Sequence, residues 1–289
     1  MEQVSILSIL SLLSRRIWQE KEMIDIHCHI LPGIDDGPET IDEAIDMCRM
    51  AAADGIKTVV ATPHFKPGMY EPAFARVNEL IDAVAARAKE EGIDIRVLPG
   101  ADVSVTPELL VHLKKEKHLT INRNGTYFLA EFPSAAVPPN WDAFLLFLLK
   151  SGFVPIITHP ERNAWFLTHP ESLYSIVSKG VLVQVTAMSI TGEFGENIQE
   201  FSIFLLEHNL VHVIATDAHS ASYRQPELRA AVKMAGDIIG KEKAEALVTS
   251  IPEAIINGRP CPITEPVRRT QKDKTWLRKL CLWGKAQSA

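Results

Sequence analysis

The sequence predicts an α/β fold, either a barrel of β/α units or a doubly wound parallel sheet, and three observations lead there. Short apolar runs rich in β-branched residues recur seven times, at 24–27, 56–61, 93–98, 126–132, 153–158, 181–186 and 211–216. Helix-like stretches lie between them, for example 40–53, 73–91, 139–150, 163–178 and 196–209, and strands alternating with helices build parallel sheets. Runs such as "KTVVAT" and "FVPIIT" are almost continuously hydrophobic, as suits parallel strands covered on both faces. The polar residues at the ends of these runs then favour the barrel, whose active-site face is built at the carboxyl ends of its strands.

Taken in order, the first run ends in "IDIHCH". Residues i and i+2 of a strand share a face, so His27 and His29 point one way and Cys28 the other, into the core. Two converging imidazoles followed by "DD" suggest a divalent-metal site. Thr40 and Glu43 form a capping box that starts the first helix. The second run closes on "TPHF", placing His64 just past it. The third closes on "PGADV" with Asp102, and the fourth on "AEF" with Glu131. The fifth ends in "THPER" with His159, and the seventh in "TDAHS" with Asp217 and His219. Metal-competent groups spread over more than 190 positions thus share one topological location.

Other polar residues carry less. His212 has the opposite strand parity to Asp217 and should face away. His169 suits a loop or cap, and His112, His118 and His208 fall on helix-like or loop segments without partners. Glu161 either orients Arg162 or is exposed.

A chain of 289 residues suits one domain, since barrels of this kind run to roughly 250 residues. Its 46% hydrophobic and 23% charged content is that of an ordinary globular protein. A net charge of −6 gives no reason to expect nucleic-acid binding. Cys28, Cys48, Cys261 and Cys281 form no CxxC pair, which points to reduced thiols in the cytoplasm. No cysteine is followed by five residues and an arginine, so a cysteine-dependent phosphatase is excluded. Neither GxGxxG after the first strand nor GxxxxGK[ST] occurs.

Residues 1–22 are expected to be an extension outside the fold: the apolar "VSILSILSLL" (4–13) is shorter than the roughly 20 residues of a membrane span, and Arg15 and Arg16 follow it rather than precede it. Residues 23–260 are expected to form the single folded domain that carries the strand-end residues. Residues 261–289 make a basic tail in which Trp276, Leu277, Leu280 and Trp283 are interspersed. Such a segment could touch an anionic membrane, dock on its own domain, or stay solvated.

The elements "DIHCHILPGIDDG", "TPHF", "EFP", "THPER", "VTAMSITGEFG" and "TDAHS" resemble those of the PHP (polymerase and histidinol phosphatase) superfamily. The likeness is strongest to its bacterial CpsB/YwqE-type protein-tyrosine phosphatases of capsule and exopolysaccharide systems. The resemblance covers about residues 23–260. It implies a distorted seven-unit β/α barrel holding two or three divalent ions, usually Mn2+. It makes His27, His29, Asp36, His64, Glu131, His159, Asp217 and His219 ligands, with Asp102 at a ninth position. Relatives more often have Glu there, and one methylene fewer limits a carboxylate's reach between two metals. Phe65 stands where many relatives have a further His. Five histidines and four carboxylates carry a charge of about −4, and three divalent ions with one hydroxide would bring the centre to about +1, which suits a phosphate dianion.

The resemblance also matches Arg162 of "HPER" and Arg224 of "DAHSASYR" to arginines that grip phosphate bidentately; a surface salt bridge is the alternative. The expected substrate is phosphotyrosine in a protein, a bacterial tyrosine kinase that controls polysaccharide export. A small-molecule phosphatase, such as one for histidinol phosphate, and a catalytically weak binding module are the alternatives.

Overall fold

The structure, a computed structural model, describes residues 22–268. Among the described residues nine strands, all parallel to their neighbours, form two sheets, one ordered β1-β2-β4 and the other β3-β5-β6-β7-β8-β9. They are β1 (Met23–Cys28), β2 (Ile56–Ala61), β3 (His64–Phe65), β4 (Arg96–Pro99), β5 (Asp102–Ser104), β6 (Tyr127–Glu131), β7 (Val154–Thr158), β8 (Leu182–Thr186) and β9 (Val213–Ala215).

Two of the seven predicted runs are bent. β2 passes into β3 through Thr62–Pro63, and β4 into β5 through Gly100–Ala101. Proline cannot donate to a ladder, and Pro63 instead offers its carbonyl to the Asp102 N–H at 3.1 Å. At Gly100 a Cβ would lie 2.7 Å from Val60 Cγ1, so only glycine lets the two bends approach this closely. These bends carry β3 and β5 into the second sheet, where His64 pairs with Asp102 in register. The edges β1 and β9 meet through a Cys28–Ala218 bridge, with Asp217 N–H donating to His27 O at 2.7 Å and His29 N–H to Ala218 O at 2.9 Å. The buried Asp25 carboxylate binds the same seam, accepting from Thr216 N–H at 3.1 Å and Thr216 Oγ1 at 2.5 Å.

Helices follow the strands. α1 (Ile41–Asp54) begins on the Thr40–Glu43 capping box, as expected. α2 (Phe74–Glu90) buries Val77, Leu80, Ile81 and Val84. After α3 (Leu109–Lys115) and α4 (Trp141–Lys150), the predicted 163–178 helix is two, α5 (Ala164–Thr168) and α6 (Pro170–Val177). Pro170 lacks the N–H to continue the first, and His169 takes up a non-helical φ of −131° between them. α7 (Ala187–Thr191) and α8 (Glu196–Glu207) surround a glycine-bounded turn, and α9 (Arg229–Ile239), α10 (Lys241–Ala246) and α11 (Ser250–Ile256) follow β9. The third run is shorter than predicted, because Ile93 closes the turn after α2, its N–H donating to Ala88 O at 2.9 Å.

The N-terminal segment 1–21 and the basic residues from 269 onward lie outside the described residues. The start of the tail, 261–268, runs along the body: Val267 N–H donates to His208 O at 2.8 Å and Asn209 Nδ2 to Glu265 O at 3.0 Å. Among the described residues no helix is long and apolar enough to cross a membrane.

Candidate metal centre

All nine sequence-predicted ligands approach one another, His64 and Asp102 at the bends that follow β2 and β4, Asp36 in the loop after β1, and the others at or just past the ends of their strands. His27 Nε2 is 3.3 Å from both His29 Nε2 and Asp217 Oδ1, and 3.6 Å from Asp102 Oδ2. His64 Nδ1 is 3.5 Å from Asp102 Oδ2 and 3.6 Å from Glu131 Oε2, and its Nε2 is 3.4 Å from Asp36 Oδ1. His219 Nε2 reaches the same Asp36 oxygen at 3.3 Å. Ligand atoms on bonds of about 2.1 Å around a tetrahedral cation would be about 3.4 Å apart, so these separations match the edges of coordination polyhedra.

Four overlapping groups result: His29, Asp36, His64 and His219; His27, His29 and Asp217; His27, Asp102 and His159; His64, Asp102 and Glu131. Asp102 is shared by two of them, its Oδ2 lying between His27 Nε2 and His64 Nδ1. Both Asp102 oxygens, with His64 Nδ1, are buried without a hydrogen-bond partner. Buried polar atoms are costly in that state, and imidazole and carboxylate donors suit divalent cations. The residues therefore fit the metal the sequence suggested.

The local chain explains this convergence. Gly37 folds the "DDG" loop back against β1; a Cβ there would lie 2.4 Å from His29 O. His159 and Asp217 occupy left-handed backbone, with φ of 35° and 51°, which turns each side chain inward at the end of its strand and costs strain of a kind that collects at functional sites.

Electrostatics follow burial and charge. Burial pushes His29 down to about 4, aided by His219, and burial with Arg162 pushes His159 down as well. Burial also pushes His64 down, but Asp102, Glu131 and Asp36 outweigh it and hold the ring up at about 9. Burial and the neighbouring Asp102 charge lift Glu131 to about 7. The Asp217 carboxyl is held well below the usual range because Arg162, His27 and Arg224 overcome its burial.

Arg162 and Arg224 are not surface salt bridges. Both donate to Asp217 Oδ2, and both line a cleft of about 230 Å³ together with Asp36, His64, Glu131 and His219. Their side chains are about one-fifth exposed (20% and 22%), open enough to reach a ligand entering the cleft.

Several supporting residues escaped the sequence reading. Asp35, the first of the two aspartates, accepts from His29 Nδ1 at 2.7 Å, His64 N–H at 3.0 Å and Gly37 N–H at 3.0 Å. Gln184 Oε1 sits 3.0 Å from His27 Nδ1, and Ser104 Oγ donates to Glu131 at 3.3 Å. Only the adjacency of Asp35 to Asp36 hinted at any of these. Gln184 was hidden because the sixth run ends in no charged residue.

Glu161 corrects both expectations held for it. It is fully buried, and its Oε1 accepts from Thr186 N–H and Ser189 Oγ at 3.0 and 2.6 Å, so it ties its turn to α7 rather than to Arg162. His112, His118 and His208 do have partners. The first lies 5.3 Å from the Phe65 ring, the second stacks on Phe74 at 4.8 Å, and His208 Nδ1 is 2.8 Å from Phe204 O. His169 precedes α6 and stacks on Trp165, and His212 faces away from the centre against Val183 N–H. Cys28 is buried in the core.

A family model described as "Capsular polysaccharide synthesis, CpsB/CapC" matches residues 23–257. Tyrosine-protein phosphatase YwqE of Bacillus subtilis is 41% identical over 202 residues, covering 70% of this chain and 79% of that protein. Tyrosine-protein phosphatase CpsB of Streptococcus agalactiae is 28% identical over 239 residues, 81% of this chain and 98% of that one. A crystal structure from work on YwqE of B. subtilis and CpsB of Streptococcus pneumoniae, described as metal-dependent tyrosine phosphatases, superposes with a TM-score of 0.81. It is 36% identical and covers 86% of this chain and 100% of its own.

Proposed function

Since the chain belongs to the CpsB/CapC family of capsular polysaccharide synthesis, we propose that it is a metal-dependent protein-tyrosine phosphatase acting on a bacterial tyrosine kinase of capsule or exopolysaccharide production. The observation that carries this reading is the gathering of nine ligand-type residues, six of them lining one cleft together with two arginines. The strand order of the two sheets and the β1–β9 seam support a distorted seven-unit barrel of the PHP type around it.

His27, His29, Asp36, His64, Asp102, Glu131, His159, Asp217 and His219 would hold two or three divalent ions, with Mn2+ the expected metal. Gln184 and Asp35 engage the Nδ1 atoms of His27 and His29, leaving each ring only Nε2 to offer. Each of these rings would therefore serve one ion although it stands in two groups, which would keep the number of ions below four. Such ions supply a hydroxide nucleophile near neutral pH and neutralise charge on phosphoryl oxygens.

The residues of the chain do the rest. Arg162 and Arg224 bind the phosphoryl oxygens through guanidinium forks, in place of or beside Asp217. The open mouth admits a phosphotyrosine side chain projecting from a protein, and the tyrosine phosphatase relatives weigh against the small-molecule reading. The dispersed free cysteines suit the cytoplasm, and the basic tail is the candidate for contact with a membrane at which a kinase partner would sit.

A phosphatase panel with metal-stripped and Mn2+-loaded protein tests this. Metal-dependent release from phosphotyrosine peptides is expected, with little from phosphoserine peptides or histidinol phosphate. Elemental analysis of the loaded protein should find two or three ions per chain. Preference for histidinol phosphate, or one ion or none, would overturn it.

A further inference from the structure

The turn between α7 and α8 carries an aromatic side chain that the reading above leaves without a task. Phe194 sits in "TGEFG", and the Arg162 guanidinium carbon lies 5.0 Å from its ring centroid, within the range of a cation–π contact. The turn is built to hold that position. Gly192 and Gly195 both take left-handed φ, 100° and 97°, and Gly195 N–H closes the turn onto Gly192 O at 2.9 Å. At Gly192 a Cβ would meet the Gln199 side-chain amide at 3.0 Å. That amide is itself pinned, Nε2 donating to Ile190 O at 3.0 Å.

The segment is also strapped to the arginine's own turn from the other side. The buried Glu161 carboxylate, one residue before Arg162, accepts from Thr186 N–H at the start of α7 and from Ser189 Oγ within it. Arg162 and Phe194 thus ride on two turns joined by a buried carboxylate, so their relative position is set by the fold. Asp217 engages one end of the guanidinium through Oδ2, but a phosphoryl group competes for that same end. The ring face remains to orient the guanidinium when Asp217 does not.

We propose that Phe194 is a positioning residue that holds the Arg162 guanidinium by its ring face in the orientation that receives the phosphoryl group. This rests on the phosphatase reading above. The ring acts through Arg162 and touches no reacting atom.

A double-mutant cycle tests it. With Mn2+-loaded protein and a phosphotyrosine peptide, F194A should lower kcat/KM by about 3- to 30-fold, the range of a partly desolvated cation–π contact. F194W should restore most of it, whereas F194L, which fills the space without a π face, should not. In an R162A background F194A should cost nothing further. Titration calorimetry should show weaker binding of inorganic phosphate to F194A at unchanged metal content. Three results overturn the proposal: wild-type kinetics in F194A, equal rescue by Leu and Trp, or an undiminished F194A loss in R162A. A wild-type protein with no activity on any phosphotyrosine peptide would instead sink the phosphatase reading, and that outcome is separate because it appears before any substitution is made.

Discussion

Replacing Asp35 by alanine should weaken metal binding without removing a ligand. The carboxylate accepts from His29 Nδ1 at 2.7 Å and from the His64 and Gly37 backbone N–H groups at 3.0 Å each. The bond to His29 keeps the ring proton on Nδ1 and leaves Nε2, which faces Asp217 Oδ1 at 3.5 Å, free to bind a cation. Without it the neutral imidazole spends part of its time as the wrong tautomer, and the "DDG" loop that carries Asp36 loses its anchor. Removing such a partner lowers metal affinity by about 10- to 100-fold, or about 1.4–2.7 kcal/mol, which agrees with the 1.5–3 kcal/mol typical of a hydrogen bond to a charged group. Asp35→Asn keeps an acceptor oxygen but no charge, and should fall between alanine and wild type. The assay is Mn2+ titration of metal-stripped protein by calorimetry, with a denaturant melt to correct for any unfolded fraction. A wild-type dissociation constant in Asp35→Ala would refute the argument, because His29 would then need no help in presenting Nε2.

Arg162→Ala and Arg224→Ala should leave metal content unchanged or bind metal slightly more tightly, since each substitution removes a cation beside Asp217. Each should lower kcat/KM on a phosphotyrosine peptide by roughly 10- to 150-fold, with partial rescue by Lys; full activity in both Ala variants would show that the metals alone hold the phosphate. Asp102→Glu keeps the charge but adds a methylene at a site with no exposure, where overpacking costs about 1–3 kcal/mol. A lower melting temperature and altered Mn2+ affinity are expected, and identical titration and rate would mean the position does not bridge ions. His212 is pushed from 6.5 down to about 4 by burial. Unfolding therefore takes up a proton between those two values, and stability falls as pH drops through that window by up to about 3 kcal/mol. His212→Asn should flatten this part of the stability–pH curve relative to wild type, a comparison that cancels the shared contributions of His29 and His159. Parallel curves for the two proteins would show that His212 is not the group responsible.

The cluster was legible where candidate ligands follow strand ends, because a strand's alternation and its carboxyl end place a side chain with little help from the rest of the chain. "HCH" declared its own face, and "TPHF", "THPER" and "TDAHS" advertised theirs through residue types that rarely cluster without a cation. The supporting shell was not legible in this way. Asp35 was only one half of the "DD" pair, and Gln184 and Ser104 are ordinary strand residues until β8 and β9 close onto β1 and β5 pairs with β6.

Glu161 shows the same limit from the other direction. Its place next to Arg162 suggested a partnership, but a 3-10 turn over Pro160–Arg162 sends adjacent side chains different ways, and its carboxylate binds α7. The pairing of Phe194 with Arg162, 32 positions apart in the chain, was invisible for the same reason. By itself the sequence determined the order of β/α units, the first helix cap and the residues that can ligate a metal, all of which depend on neighbours within a few positions. Tertiary structure alone decided which carboxylate stands between two groups of candidate ligands, which one holds a ring nitrogen, and which aromatic face meets an arginine. Those contacts depend on bends at Pro63 and Gly100, left-handed residues at His159 and Asp217, and the angles between strands, and these are set by the packing of the whole core.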